Sequence, residues 1–410
     1  MMHIRRSAGM ILVLFLLMAH TTKAQTSDSL ITQQMSELGI GFTRGNTVKL
    51  LMSGKAKFAD MFDAIRQAKS SVHLEYFNFR NDSIASLLFD LLKEKRKEGV
   101  EVRAMFDGFG NDSNNQPLKK SHLRKLHTDS INIVEFDPIR FPWVNHIWPR
   151  DHRKIVVIDG QIAYTGGMNV ADYYIVGTAQ VGEWRDMHCR LEGPVVNDLQ
   201  TIFARIWKNA TGEEISDPKY YRGKPVGEKN IGIVNREPHT SNEVMRRFYI
   251  DAIDAAQDSI KLINPYITLI PSVKKALKRA ISRGVKLEIM VSAKSDIPLT
   301  PDVVYRNAHK MMKLGAKVWL YQPGFHHSKI MMVDGHFCTV GSTNLDARSL
   351  RFDYEENALI INRQTTKELD DMFDRDKQKS VLLTEEEWNR FRTGWQKFRG
   401  AIGSLLTPWL

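Results

Sequence analysis

Two short stretches of this chain carry the same chemistry-bearing residues at the same spacing. His152, Lys154 and Asp159, closed by Gly160, recur as His327, Lys329 and Asp334, closed by Gly335. The same offset carries Gly166-Gly167 onto Gly341-Ser342 and Asn169 onto Asn344. A single copy of such a pattern specifies few residues and says little. Two copies in register, each followed by small residues and an Asn, are hard to reach by chance. A His and a Lys two residues apart on an extended strand point to one side, so an imidazole and an ammonium can converge on one phosphate. Residues 155 to 158 and 330 to 333 are apolar on both faces, as in a buried central strand, and Asp-Gly makes the turn that ends it. Gly167 and Ser342 let backbone approach a ligand closely, while Asn169 and Asn344 offer amides to phosphate oxygen.

Each copy supplies one histidine, and displacement at phosphorus through a covalent enzyme needs two groups. One attacks phosphorus while the other protonates the leaving alkoxide and later deprotonates the incoming water or alcohol. Lys154 and Lys329 would stabilise charge on the non-bridging oxygens. This scheme calls for no metal and no other cofactor. A histidine at such work needs its other ring nitrogen held, commonly by a carboxylate. Asp186, in Trp184-Arg185-Asp186-Met187-His188, and Glu355, in Phe352-Asp353-Tyr354-Glu355-Glu356, open matching strands after each Asn and are the candidates. Asp159 and Asp334 have two readings, catalytic carboxylate or turn former. His146, His188, His309, His326 and His336 have no counterpart in the other copy and read as structural.

The elements around the motifs repeat as well. Amphipathic helices over Phe58 to Lys69 and Val244 to Gln257 lead into strands at Val72 to Phe77 and Ile260 to Ile263. Second helices, Ser83 to Lys97 and Ser272 to Arg283, stop at Gly99 and Gly284, and strands at Val100 to Phe106 and Val285 to Val291 follow. Strand, helix, strand in this order predicts an α/β fold of two tandem lobes. Each would be a mixed, largely parallel sheet flanked by helices, with the active site between the lobes. The expected division is lobe 1 over 40–208, a Gly-, Pro-, Lys- and Tyr-rich linker over 209–230, lobe 2 over 231–380, and a C-terminal helix and tail over 381–410. The Trp and Phe residues of that tail are expected to dock on the core.

The length of 410 residues suits two cores, and 42% hydrophobic with 26% charged residues is ordinary for a folded protein, which excludes a disordered chain. The net charge of +11 favours anionic partners without choosing among phospholipid, nucleic acid and small phosphate esters. Residues 1–24 have a basic start, an apolar run from Ala8 to Ala19 and a small-residue cut site at Ala24, the pattern of a signal peptide. An uncleaved anchor is the alternative, although the run falls short of the ~20 residues a spanning helix needs. Cys189 and Cys338 read as buried free thiols.

The duplicated motif resembles that of the phospholipase D superfamily, HxKxxxxD followed by small residues and Asn. Asn264-Pro265-Tyr266, Gly341-Ser342-Thr343-Asn344-Leu345-Asp346-Ala347-Arg348-Ser349, Trp184-Arg185-Asp186 and the end Leu405-Leu406-Thr407-Pro408-Trp409-Leu410 are similar to bacterial cardiolipin synthases. The resemblance spans roughly residues 40 to 410 and implies a phosphatidyl-histidine formed from phosphatidylglycerol. Transfer to a second phosphatidylglycerol then releases glycerol, or water takes its place as in a phospholipase D. It also implies that His152 attacks and His327 is the general acid and base. The partners implied are anionic phospholipid and a membrane surface, with no obligatory nucleic acid. With the leader, the expected location is exported across, or associated with, the bacterial cytoplasmic membrane on its periplasmic side. Asp353 departs from the Asn usual in those synthases, and a leader stands where they usually begin with two spanning helices. The alternative is a nuclease of the same superfamily, using the same histidines on a nucleic-acid backbone. A non-catalytic scaffold fits poorly with two intact motifs.

Overall fold

A computed structural model describes residues 26–139, 148–296 and 300–405. The leader, His146 and the last five residues therefore lie outside the described residues. β1 (Phe42–Leu51) opens the first repeat, and the helix Gly54–Gln67 leads to β2 (Ser71–Tyr76). The helix Ser83–Lys97 leads to β3 (Glu101–Asp107), and β4 (Asn132–Phe136), β5 (Ile155–Ile158), β6 (Ile162–Gly166), β7 (Glu183–Arg185) and β8 (His188–Glu192) follow. The second repeat opens with β9 (Lys229–Arg236), and the helix Val244–Ala255 leads to β10 (Ser259–Ile263). The helix Pro271–Ser282 leads to β11 (Lys286–Ser292), followed by β12 (Lys317–Tyr321), β13 (Gly324–His326), β14 (Ile330–Val333), β15 (Phe337–Gly341), β16 (Glu355–Ile361) and β17 (Ser380–Leu382). Gly99 and Gly284 terminate the second helix of each repeat at φ +88° and +90°, a conformation that disfavours residues with a Cβ.

Two copies of one strand order meet at a seam. The first runs β4-β3-β2-β5-β6-β8-β1 and the second β9-β16-β15-β14-β10-β11-β12, with β17 added at the outer edge. β1 pairs antiparallel with β9, so the two lobes share one continuous sheet. They also share a core. Leu199 from the helix Val195–Thr211 and Leu369 and Phe373 from the helix Arg363–Lys377 pack in one cluster with Ile155, Val157, Ile330 and Met332. The expected linker is itself packed down: Tyr220 is buried and the Arg222 amide donates to the Gly160 carbonyl at 3.0 Å.

The sheet is mixed, but parallel pairing is confined to the outer flanks, β2-β3-β4 and β10-β11-β12. Elsewhere it is antiparallel, which corrects the expectation of a largely parallel sheet. One antiparallel pair in each lobe is set by the Asp-Gly turn. Asp159 and Gly160 take φ +53° and +65°, and Asp334 and Gly335 take +50° and +73°, the paired left-handed residues that fold a tight hairpin. Each turn makes the motif strand one arm of a hairpin, β5-β6 and β14-β15.

The same turns settle the two readings of their aspartates. The Asp159 carboxylate accepts from the amides of Lys69, Ser70 and Ser71 at 2.7–2.9 Å, tying the turn to the start of β2. Asp334 accepts from the amides of Gln257, Asp258 and Ser259 at 2.8–2.9 Å. Neither lines the pocket described below. The catalytic reading of Asp159 and Asp334 is thereby corrected to an anchoring one, because three converging backbone N–H groups occupy each carboxylate. Burial pushes the Asp334 carboxyl up, but the amides outweigh it and hold the acid below its usual range. Asp159→Ala and Asp334→Ala should each lower unfolding free energy by about 1 to 3 kcal/mol. Denaturant melts should show that loss while activity per folded molecule stays close to wild type.

The tail also departs from expectation. Trp388 docks as predicted, stacking on His309 with centroids 4.3 Å apart, but Trp395 and Phe398 face outward. Both cysteines are buried free thiols. No described helix is long and apolar enough to cross a membrane.

Candidate active site

His152, Arg153 and Lys154 lie just before β5, in extended chain rather than within the strand. Their counterparts His327, Ser328 and Lys329 precede β14 in the same way. What fixes each segment is the opposite lobe. Asp151 bridges in parallel to Tyr354, and the His152 amide donates to the Tyr354 carbonyl at 3.0 Å. β13 pairs in parallel with β7, and the His327 amide donates to the Arg185 carbonyl at 2.6 Å. Each histidine is thus docked beside the residue that precedes the other lobe's acid.

The side chains pair across the seam accordingly. His152 Nδ1 is 2.9 Å from Glu355 Oε1, and His327 Nδ1 is 2.7 Å from Asp186 Oδ2. A carboxylate only accepts, so Nδ1 carries the hydrogen and Nε2 is the reactive nitrogen. Residue spacing suggests an acid within each histidine's own repeat, and the structure corrects this: the acids are exchanged. Gly167 and Ser342 contribute differently. A Cβ on Gly167 would lie 2.3 Å from Asp186 Oδ1, so glycine makes room for the acid. Ser342 Oγ donates instead to Glu355.

The lysines fold back on the motif histidines. Lys329 Nζ lies 2.9 Å from His327 Nε2, and Lys154 Nζ donates to the His152 carbonyl. Both lysines are buried with no carboxylate in ion-pair contact among the described residues. Burial lowers the Lys329 ammonium to about 7, the neighbouring Lys154 charge contributing. Burial and the adjacent lysines bring His152 and His327 down to about 4, against the pull of their acids. Burial would raise Asp186 and Glu355, yet the cationic side chains and hydrogen bonds beside them hold both at about 2. At neutral pH the imidazoles are therefore neutral and the acids ionised. An entering phosphodiester anion would raise both histidines and both lysines, so protonation is coupled to binding.

His152 and His327 line one pocket of about 490 Å³ together with Asn169 and Asn344. The Oδ1 atoms of both asparagines are buried without a protein hydrogen bond among the described residues. Lys154, Lys329, Asp186, Glu355, Gly167 and Ser342 do not line the pocket, and bear on it through the histidines and their acids. Sequence reasoning missed the aromatic walls. Phe77 meets His152 edge-on at 5.1 Å, while Trp184 and Tyr266 flank His327 at 5.6 and 6.2 Å. It also missed Lys57, whose buried Nζ donates to the Asn169 carbonyl at 3.2 Å. A signal for Lys57 existed: it falls on the apolar stripe of its helix, beside Phe58, Met61 and Ile65. At the far end Arg348 lies 4.3 Å over the Trp148 ring and pairs with Asp353 at 2.9 Å. Burial raises that acid to about 7.

Comparison with known proteins shows the family. The family model described as cardiolipin synthase, PLD-like domain, matches residues 61–207 and 249–377, one copy for each repeat. A cardiolipin synthase of Oceanobacillus iheyensis is 34% identical over 368 residues, 90% of this chain and 76% of that protein. The probable cardiolipin synthase YwiE of Bacillus subtilis is 34% identical over 83% of this chain and 68% of its own length. Among solved structures, phosphatidylserine synthase of Haemophilus influenzae superposes with a TM-score of 0.72 at 13% identity, covering 93% of this chain and 100% of that one. That likeness is one of fold.

Proposed function

The chain belongs to the family of phospholipase D-like cardiolipin synthases, and from that premise we propose that it moves a phosphatidyl group between alcohols through a phosphohistidine. The observation that carries the reading is the pair of acid-held histidines facing one pocket, each with a buried lysine. His152 Nε2 attacks phosphorus of phosphatidylglycerol as the bond to the glycerol headgroup breaks, and His327 gives that oxygen its proton. Glycerol leaves. His327 then takes the proton of an acceptor hydroxyl whose oxygen attacks phosphorus, breaking the phosphorus–nitrogen bond and freeing His152. Lys154 and Lys329 hold charge on the non-bridging oxygens through both steps.

With a second phosphatidylglycerol as acceptor the product is cardiolipin, and with water it is phosphatidic acid. The basic, apolar first residues are read as an export leader that places this chemistry on the periplasmic side of the membrane. The protein is tested with phosphatidylglycerol vesicles and thin-layer separation of products, beside a DNA-cleavage assay. Cardiolipin and free glycerol in equal amounts are expected, with DNA intact. DNA cleavage without lipid turnover would assign the site to nucleic acid instead.

A further inference from the structure

The helix Gly394–Gly403 is amphipathic in an inverted sense. Its small residues face the protein, and its large apolar residues do not. Gly400 and Gly403 lie against the helix Thr300–Lys313, where added Cβ atoms would come within 2.4 Å of the Asp302 carbonyl and 2.6 Å of Val303. Arg392 and Arg399 pair with Asp302, and so pin the helix at one orientation. Trp395, Phe398, Ile402 and Leu405 are 65%, 55%, 50% and 71% exposed. Their spacing of three, four and three puts all four on one stripe. Trp395 and Phe398 stack on each other, centroids 5.6 Å apart, with more than half of each residue open.

A contiguous exposed stripe of this kind marks an interaction surface. Its surroundings indicate the chemistry of the partner. Leu405 borders a concavity with Lys274, Lys275, Lys278 and Lys310, none of which has a carboxylate within ion-pair distance among the described residues. Apolar rings beside uncompensated lysines complement an anionic lipid surface, the rings entering the acyl boundary and the ammoniums meeting phosphate. The stripe is also near the catalytic pocket. Leu269 lines the lysine concavity, its chain neighbour Thr268 lines the pocket, and Asn307 of the concavity donates to the Thr268 carbonyl at 2.9 Å.

From this juxtaposition we infer that the outer stripe of the helix Gly394–Gly403 and the adjacent lysines dock the protein on an anionic phospholipid bilayer. The inference rests on the reading of the substrate as lipid, and it assigns the surface that presents the pocket to that lipid. Phosphatidylglycerol vesicles with brominated acyl chains are expected to quench wild-type tryptophan fluorescence, and Trp395→Phe to remove most of the quenched component. Trp395→Ser with Phe398→Ser and Ile402→Ser should weaken co-sedimentation with phosphatidylglycerol vesicles at least about tenfold. Turnover of monomeric short-chain phosphatidylglycerol by that variant should be unchanged. Lys274→Glu with Lys275→Glu and Lys278→Glu should weaken vesicle binding to a similar degree, and phosphatidylcholine vesicles should bind poorly. Undiminished quenching in Trp395→Phe, or undiminished sedimentation of the serine variant, overturns the inference. So does a serine variant that converts a dimer to a monomer with vesicle binding intact, since the stripe would then join two copies. Vesicle binding through this face with no lipid turnover upholds the docking and sinks the proposed reaction, so the two failures are distinguishable.

Discussion

His152→Asn and His327→Asn should each reduce phosphatidylglycerol turnover by about 10⁴-fold or more, and an activated substrate should tell them apart. Asn keeps a polar group of similar reach but neither attacks phosphorus nor shuttles a proton, and groups that act as a unit lose nearly everything when one is removed. A nitrophenyl phosphodiester leaves without needing a proton. On the proposed mechanism His327→Asn therefore still releases nitrophenol, close to one equivalent per protein, and then stalls, because no base activates the acceptor. His152→Asn releases none, having no nucleophile. Rapid-mixing absorbance reads the burst. A burst from His152→Asn and none from His327→Asn would reverse the roles, and substantial steady turnover in either variant would refute the paired mechanism.

Glu355→Gln and Asp186→Asn should each lower kcat by about 10² to 10⁴-fold, and each should behave like the histidine of the other lobe. Asp186→Asn is expected to keep the nitrophenol burst, as His327→Asn does, while Glu355→Gln loses it. The opposite pattern would mean that each acid serves its own repeat, against the 2.7 and 2.9 Å contacts across the seam. The pH profile gives a second readout. The negative charge of Asp186 raises the His327 pKa. A general acid must be protonated when the leaving group departs, so rate falls as pH rises through its pKa. Removing that charge lowers the pKa further, and the alkaline limb of kcat against pH should move to lower pH. An unmoved limb would leave Asp186 a merely structural role.

The residues of the site were legible because their pattern is local and duplicated. His152, Lys154 and Asn169 find His327, Lys329 and Asn344 at one offset, and no folding is needed to see it. Periodicity placed the flanking helices for the same reason, Ser83–Lys97 to the residue. The exchange of acids was not legible. It depends on the β7-β13 and Asp151-Tyr354 pairings, which join residues far apart in the chain and carry no local pattern. The seam between β1 and β9 was invisible on the same ground. The hairpins were written in the chain, since Asp159-Gly160 and Asp334-Gly335 are strong turn signals. The strand-helix-strand rhythm that competes with them in the sequence governs only the outer flanks. The exposed stripe at Trp395 was hidden because burial of a helix face is decided by the small residues opposite, here Gly400 and Gly403.

The exchanged acids bear on the ancestry of the duplicated chain. One repeat by itself holds a histidine with no acid to orient it and an acid with no histidine to serve. A single-repeat forebear with this geometry would have been inert alone and complete only as a symmetric couple. Joined in one chain, the two repeats need not be identical, and Gly167 beside Asp186 differs from Ser342 beside Glu355. An enzyme that needs two unlike alcohols in turn gains from such divergence, because a strictly symmetric site cannot distinguish its donor from its acceptor.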